Sequence, residues 1–173
     1  MRLFLSKGYG ATTVQEIAAA AGVSHMTFFR YFPSKEDVVL ADDYDPLIVE
    51  LVRARPASEP DVERIRHALL AGLTAVHAAD RQALLERTRL VLGTPALRAR
   101  LWENQLATEA LLVRALTPEG DGAADLRRRV LVSGCLAAVT TALLVWVERD
   151  GEPELPGLVE QAFSSLRSEV AAP

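Results

Sequence analysis

Side chains that can bind phosphate stand at the starts of three predicted helices near the beginning of the chain. Thr13, Ser24 and Lys35 each occupy or adjoin a predicted helix start. Hydroxyl groups and helix N-terminal amides bind phosphate without reading a base sequence, and a lysine adds a positive charge. His25 could donate a hydrogen bond to guanine or to phosphate, although a solvated surface histidine is the alternative interpretation. The chemistry that this segment favours is contact with a nucleic acid.

The elements that must position these groups are two helices joined by a tight turn. Thr13 and Glu16 form the Thr-x-x-Glu pattern of a capping box, in which each side chain pairs with a backbone N–H at the helix start. Gly22 supplies a turn that a residue with a Cβ would resist, and Val23 is expected to fill the inside of that turn. Ser24 can cap the second helix. These offsets predict a helix-turn-helix, whose second helix enters the DNA major groove, against the alternative of an ordinary helical hairpin.

A longer run of residues makes this pattern more specific. Residues 21–24 read Ala-Gly-Val-Ser, and residues 27–36 read Thr-Phe-Phe-Arg-Tyr-Phe-Pro-Ser-Lys-Glu. Together they resemble the DNA-binding domain of the TetR family of bacterial transcriptional regulators. The resemblance implies an all-α fold, with a helix-turn-helix head at residues 1–40 and a ligand-binding and dimerisation domain at residues 41–173. It also implies a homodimer bound to a palindromic double-stranded DNA operator.

The same resemblance suggests roles for individual residues. The residues that match DNA-contacting positions are Thr13, Ser24, His25, Thr27, Phe28, Tyr31 and Lys35. Phe29 and Phe32 are expected to pack in the small core of the head instead. Residues 1–8 resemble only the second half of the family's first helix. We therefore expect a truncated first helix, or a natural start upstream of Met1.

Composition limits the classes of protein to consider. Half of the 173 residues are hydrophobic but only 6% are aromatic, which is typical of packed helices. The single cysteine, Cys135, excludes an intrachain disulfide and suggests a cytoplasmic protein with a free thiol in its core. The net charge is −4, yet residues 1–40 carry one more basic than acidic side chain. This division favours a DNA-reading head on an acidic body, although it leaves open a helical ligand-binding or interaction protein with weakened DNA affinity.

Helical periodicity continues through the rest of the chain. It predicts a long helix from about Ser34 to Arg55, then helices that open near Ser58, Asp80 and Thr94. The helix after Thr94 is expected to end at residues 117–122, and a loop at residues 151–157 precedes the last helix. His67 and His77 fall on different faces of one helix, and no metal-ligand spacing, phosphate loop or nucleophile elbow accompanies them. The sequence predicts a protein that is not an enzyme and has no cofactor or metal.

Residues 130–147 are uncharged and long enough to span a membrane. Their serine, threonine and small residues favour a buried interface helix instead, so we expect no membrane association. In the TetR resemblance, the last two helices pair with their copies in a four-helix bundle. The expected dimer contacts are Gly134, Ala138, Thr141, Trp146 and Phe163.

The helix from Pro95 to Leu116 carries apolar residues on nearly all sides, which predicts a central position. Polar groups within such a helix need partners, either in the protein or in a ligand. The candidate ligand-binding residues are Leu101, Asn104, Gln105 and Thr108. Residues 87–101 also resemble the C-terminal domain of the mycofactocin-system regulators. That second resemblance implies a small lipophilic effector, such as acyl-CoA or a fatty acyl compound.

Overall fold

The computed structural model describes residues 1–40, 44–117 and 126–171, and within these residues every regular element is a helix. The helices are α1 (Arg2–Lys7), α2 (Val14–Ala20), α3 (His25–Tyr31), α4 (Lys35–Leu40), α5 (Tyr44–Arg53), α6 (Asp61–Ala79), α7 (Arg81–Gly93), α8 (Pro95–Leu116), α9 (Leu126–Glu148) and α10 (Leu155–Ala171). The chain forms two compact units. The head unit contains residues 1–42 and 86–102, and the body unit contains residues 43–85 and 103–173. Helices α7 and α8 therefore contribute residues to both units.

The head unit has its own apolar core. Phe4 of α1, Val39 and Leu40 of α4, Val91 of α7 and Leu97 of α8 are all buried together. The head unit therefore takes in the end of α7 and the start of α8, beyond the residues 1–40 that the sequence indicates. Apolar side chains from distant parts of the chain supply a core that six- and seven-residue helices could not build alone.

Polar contacts join the same segments of the head unit. The Arg87 Nε donates to the Val39 carbonyl at 2.8 Å, and Arg100 Nη2 lies 3.5 Å from Asp37 Oδ1. Helix α8 begins with Pro95 at its first position, after Thr94, as the sequence predicts. Helix α4 is thus tied to both α7 and α8 by hydrogen bonds as well as by apolar contact.

The body unit is built around large buried side chains. Trp146 of α9, Phe163 and Leu155 of α10, Ile65 of α6 and Leu112 of α8 are completely buried. The Trp146 indole donates to the Gly151 carbonyl at 3.1 Å and to the Pro153 carbonyl at 2.9 Å. These bonds satisfy the one polar group of the indole, so the ring is buried without an unpaired donor.

The turn between α9 and α10 requires a glycine. Gly151 has a φ of 76°, and a Cβ built there would lie 2.7 Å from Cδ2 of Leu85. Any other residue would be strained in backbone and would also push against the buried Leu85. Helix α10 begins at Leu155, so the loop is shorter than the predicted residues 151–157.

Two predicted helix boundaries meet residues outside the description. The sequence predicts one helix from Ser34 to Arg55, and the structure has α4 and α5, with residues 41–43 between them outside the described residues. The predicted break at residues 117–122 begins directly after α8 ends, but residues 118–125 also lie outside the described part. Asp80 does open the next helix, because its Oδ1 accepts from the Ala83 amide at 2.9 Å.

Helix α9 by length and composition alone could cross a membrane. The sequence predicts that it is buried all round, which is wrong within one chain. Val132, Cys135, Leu136 and Trp146 line a buried face, whereas Val130 and other residues of the opposite face are exposed. Burial raises the pKa of the Cys135 thiol to about 12, as expected for an inert core cysteine.

Candidate DNA-binding surface

Helix α2 begins with the capping box that the sequence predicts. The Glu16 amide donates to Thr13 Oγ1 at 3.3 Å, and the Thr13 amide donates to Glu16 Oε2 at 3.0 Å. Glu16 also forms an ion pair with Lys7 of α1. The hydrogen bond from Lys7 and the bonds from Thr13 lower the pKa of Glu16 to about 2. One carboxylate therefore joins α1 to the start of α2 and stays ionised over a wide pH range.

The turn after α2 has the geometry of a helix-turn-helix. Gly22 has a φ of 70°, in the left-handed region, as its predicted role requires. The Val23 amide donates back to the Ala18 carbonyl at 3.0 Å, and the Ala18 side chain is buried. Val23 does not fill the inside of the turn, because its side chain is 39% exposed. The turn is stabilised by its backbone hydrogen bonds rather than by an apolar plug.

Helix α3 is capped by Ser24, whose Oγ accepts from the Thr27 amide at 3.1 Å. Its inward residue is Phe28, which is only 4% exposed and contacts the rings of Phe29 and Phe32. Phe28 therefore packs in the head unit and does not reach a ligand at the surface, contrary to the sequence expectation. Phe29 was expected in the core and is 42% exposed instead, with its ring edge-on to His25 at 4.7 Å between centroids.

The opposite face of α3 is the most accessible part of the helix-turn-helix. Ser24 and His25 are exposed there, as is Tyr31 at 67%. Met26 and Arg30 are also exposed, and they complete the open surface formed with Ser24, Thr27 and Phe29. The sequence reasoning missed both residues. Helical spacing could have found them, because each lies two positions from Phe28 and about 160° from it around the helix.

Lys35 lies where a phosphate-binding residue is expected, but its ammonium group already has protein partners. Its Nζ donates to the carbonyls of Tyr9 and Thr12 at 3.0 and 3.3 Å and sits 4.3 Å from the centre of the Tyr9 ring. The Tyr9 hydroxyl donates to Glu36 Oε1 at 2.5 Å, which lowers the pKa of Glu36. Burial and the Glu36 carboxylate raise the pKa of Tyr9 above its ordinary value. In the unbound head Lys35 thus fixes the loop before α2 to the start of α4.

The predicted ligand-binding residues do not converge on one site within either unit. Leu101 packs against the core of the head unit, whereas the other three belong to the body unit. Gln105 Nε2 lies 3.5 Å from Thr140 Oγ1, and the Thr108 hydroxyl donates to the Asn104 carbonyl at 3.1 Å, with the Asn104 side chain exposed. The expected central position of α8 is wrong. Its apolar residues include Trp102, which is 67% exposed, and Leu106, which is 56% exposed.

The predicted dimer contacts divide into two groups. Trp146 and Phe163 lie completely inside the core of their own chain, so they cannot contact a second copy directly. Gly134 and Ala138 are half-buried, and Thr141 is exposed. Large apolar residues that the sequence reasoning placed at an interface are instead those that the body unit uses for its own folding.

A capped helix, a left-handed glycine and an exposed second helix define a helix-turn-helix DNA-binding head. Residues 1–41 match the family model described as bacterial regulatory proteins of the tetR family, and residues 59–171 match the model of the MftR C-terminal domain. The chain belongs to the TetR family of bacterial transcriptional regulators. It is therefore a DNA-binding regulator, and its family consists of transcriptional regulators rather than enzymes.

Relatives and a solved structure support this assignment over the whole chain. The transcriptional regulator TcmR of Streptomyces glaucescens is 33% identical across 99% of this chain and 81% of its own length. The mycofactocin biosynthesis regulator MftR of Mycobacterium tuberculosis is 30% identical across 57% of this chain and 50% of its own length. Thermus thermophilus FadR, a TetR-family repressor crystallised with lauroyl-CoA, matches with a TM-score of 0.64 at 28% identity. That match covers all of this chain and 92% of the FadR chain.

Proposed function

We propose that this regulator is a ligand-responsive repressor that acts in the cytoplasm as a homodimer on a palindromic operator. The observation that carries the proposal is the exposed face of α3, positioned by caps at Thr13 and Ser24 and anchored by Phe28. A two-fold dimer presents two such faces and requires two half-sites of opposite orientation. Selection of binding sequences from random double-stranded DNA tests this proposal. A palindrome supports it, and the absence of any enriched sequence contradicts it.

The dimer seam that we propose lies on the exposed face of α9. This face carries side chains spaced three, four or seven residues apart, which are Leu126, Val130, Ala137, Thr141 and Leu144. Leu126 is 74% exposed and Val130 is 64% exposed in the single chain. An apolar stripe on the longest helix would be covered if two copies of α9 packed against each other.

A charge placed in this stripe tests the seam. Ala137→Glu adds a carboxylate at an exposed position, which the single chain tolerates, but a close-packed dimer would bury it without a partner. We expect a monomer by light scattering and weakened binding to the two-half-site operator. Ala71→Glu, at an exposed position in the middle of α6, is the matched control and should remain dimeric. An intact dimer in Ala137→Glu would place the interface elsewhere.

The effector that we propose is a lipophilic acyl compound, either an acyl-CoA or a fatty acyl compound. Two observations support it: the match to the MftR C-terminal domain, and the likeness over the full chain to a FadR bound to lauroyl-CoA. Within the body unit, α8 also exposes Leu106 and Leu111 beside the Thr108 hydroxyl. An acyl chain lying against this helix would remove that apolar surface from water.

Lauroyl-CoA, lauric acid and free coenzyme A separate the parts of this effector. A ligand that binds only the folded protein raises its melting temperature by mass action, and it releases DNA if it favours a dimer whose heads no longer match the half-site spacing. We expect both effects from lauroyl-CoA and neither from free coenzyme A. Thr108→Phe should remove the ligand response while DNA binding persists. If neither acyl compound changes melting or DNA binding, the acyl assignment is wrong, while the operator proposal stands on the selection experiment.

A further inference from the structure

The outermost side chain of α3 is apolar. Met26 is 85% exposed, the most exposed of the large hydrophobic side chains that the structure describes. It points about 160° away from the buried Phe28 around the helix, in the direction from which DNA would approach. We propose that Met26 reads the 5-methyl group of a thymine in each operator half-site. This inference deepens the DNA-binding function and rests on it.

The neighbours of Met26 divide α3 into two flanks. Phe29 and the His25 ring that lies edge-on to it are on one side, and both are exposed. Arg30 and Tyr31 are on the other side, with the Arg30 guanidinium 5.0 Å from the centre of the Tyr31 ring. Met26 therefore stands between an aromatic flank and a cationic flank.

The chemistry of the major groove indicates what Met26 can distinguish. The thymine methyl is the one apolar group among the base edges there, and the remaining groups are hydrogen-bond donors and acceptors. A thioether is a weak acceptor and donates no hydrogen bond, so it gains nothing specific from adenine, guanine or cytosine. It does gain contact with a methyl group, and its unbranched chain can adapt to the position of that group. Met26 is therefore suited to prefer thymine over the other bases.

Removing the methyl group from DNA tests this preference without changing the protein. The probe is the operator selected with the wild-type chain, in which each thymine of one half-site is replaced in turn by deoxyuridine. We expect one position at which the replacement weakens wild-type binding about 3- to 5-fold, the effect of losing one buried methyl group. The other positions should change little.

The variant Met26→Ala completes the comparison. It should bind the thymine operator more weakly and should lose the difference between thymine and deoxyuridine at that one position. Leu5→Ala, which truncates an exposed apolar side chain on α1 of the same unit, is the matched control and should keep the difference.

The outcomes distinguish this inference from the function beneath it. An enriched operator with no methyl-dependent thymine, or a methyl effect that persists in Met26→Ala, contradicts the assignment of Met26 and leaves DNA binding intact. Failure to enrich any operator contradicts the DNA-binding function and the inference together. A methyl effect lost only in Met26→Ala supports both.

Discussion

The head and body units are stabilised by different kinds of contact. In the head, short helices depend on side-chain caps at Thr13, Ser24 and Ser34 and on the ammonium group of Lys35. In the body, long helices meet around completely buried side chains such as Trp146 and Phe163. Local polar contacts leave one face of the head free for a ligand, whereas a shared apolar core makes the body sensitive to every change inside it. The difference explains why single residues can be assigned to DNA binding more readily than to effector binding.

The two tryptophans give the strongest test of the body core. Trp146→Ala removes a buried ring and its two hydrogen bonds, so we expect the free energy of unfolding to fall by about 3–5 kcal/mol. Trp102→Ala, at a 67% exposed position, is the control and should change it by less than about 0.5 kcal/mol. Urea denaturation followed by circular dichroism measures both variants. Similar losses in the two variants would show that exposure does not separate core from surface here.

The two lysines give a smaller test in the head. Lys35→Met removes two hydrogen bonds to carbonyls and the contact with the Tyr9 ring, and we expect a loss of about 1–3 kcal/mol in head stability. Hydrogen exchange of the α2 and α4 amides measures this loss directly. Lys7→Met breaks only an exposed ion pair with Glu16 and should cost less than about 1 kcal/mol. Unchanged exchange in Lys35→Met, with reduced DNA affinity, would assign Lys35 to phosphate contact instead.

The smallest expected effect is a pH dependence confined to the head. The pKa of Glu16 is about 2 in the folded chain against an ordinary value of 4.5. A lowered pKa contributes stability above the ordinary value, and this contribution is lost as the pH falls from about 4.5 towards 2. Glu16→Gln should lower the melting temperature of the head near pH 6 and bring it close to wild type near pH 2. Parallel curves for the two proteins over this range would remove Glu16 from the pH response.

Features set by neighbours in sequence could be predicted without the structure. The capping box at Thr13, the left-handed Gly22 and the cap at Ser24 depend on contacts within four residues, and each is confirmed. Family resemblance was less reliable for single side chains, because it placed Phe28 at the surface and Phe29 in the core. The reverse holds since α3 turns Phe28 inward.

Features set by distant contacts could not be predicted in the same way. The apolar pattern of α8 suggests a central helix, but hydrophobicity alone does not reveal which apolar residues find partners within one chain. Trp102 and Leu106 remain exposed, whereas Leu112 is completely buried. Trp146 likewise has the composition of an interface residue and the position of a core residue. The contribution of residues 86–102 to the head core depends on tertiary packing that no local motif records.

The central claim is that the exposed face of α3 binds DNA. Its most direct test is the salt dependence of operator affinity for Arg30→Ala/Tyr31→Ala, measured by fluorescence anisotropy beside Arg114→Ala, an exposed arginine of α8. Because phosphate contacts release counterions, we expect the double variant to bind at least about 10-fold more weakly at low salt and to show a shallower salt slope by about one or two contacts. Its helical content and melting temperature should match those of the wild type, and Arg114→Ala should bind normally. Wild-type affinity and slope in the double variant would contradict the claim.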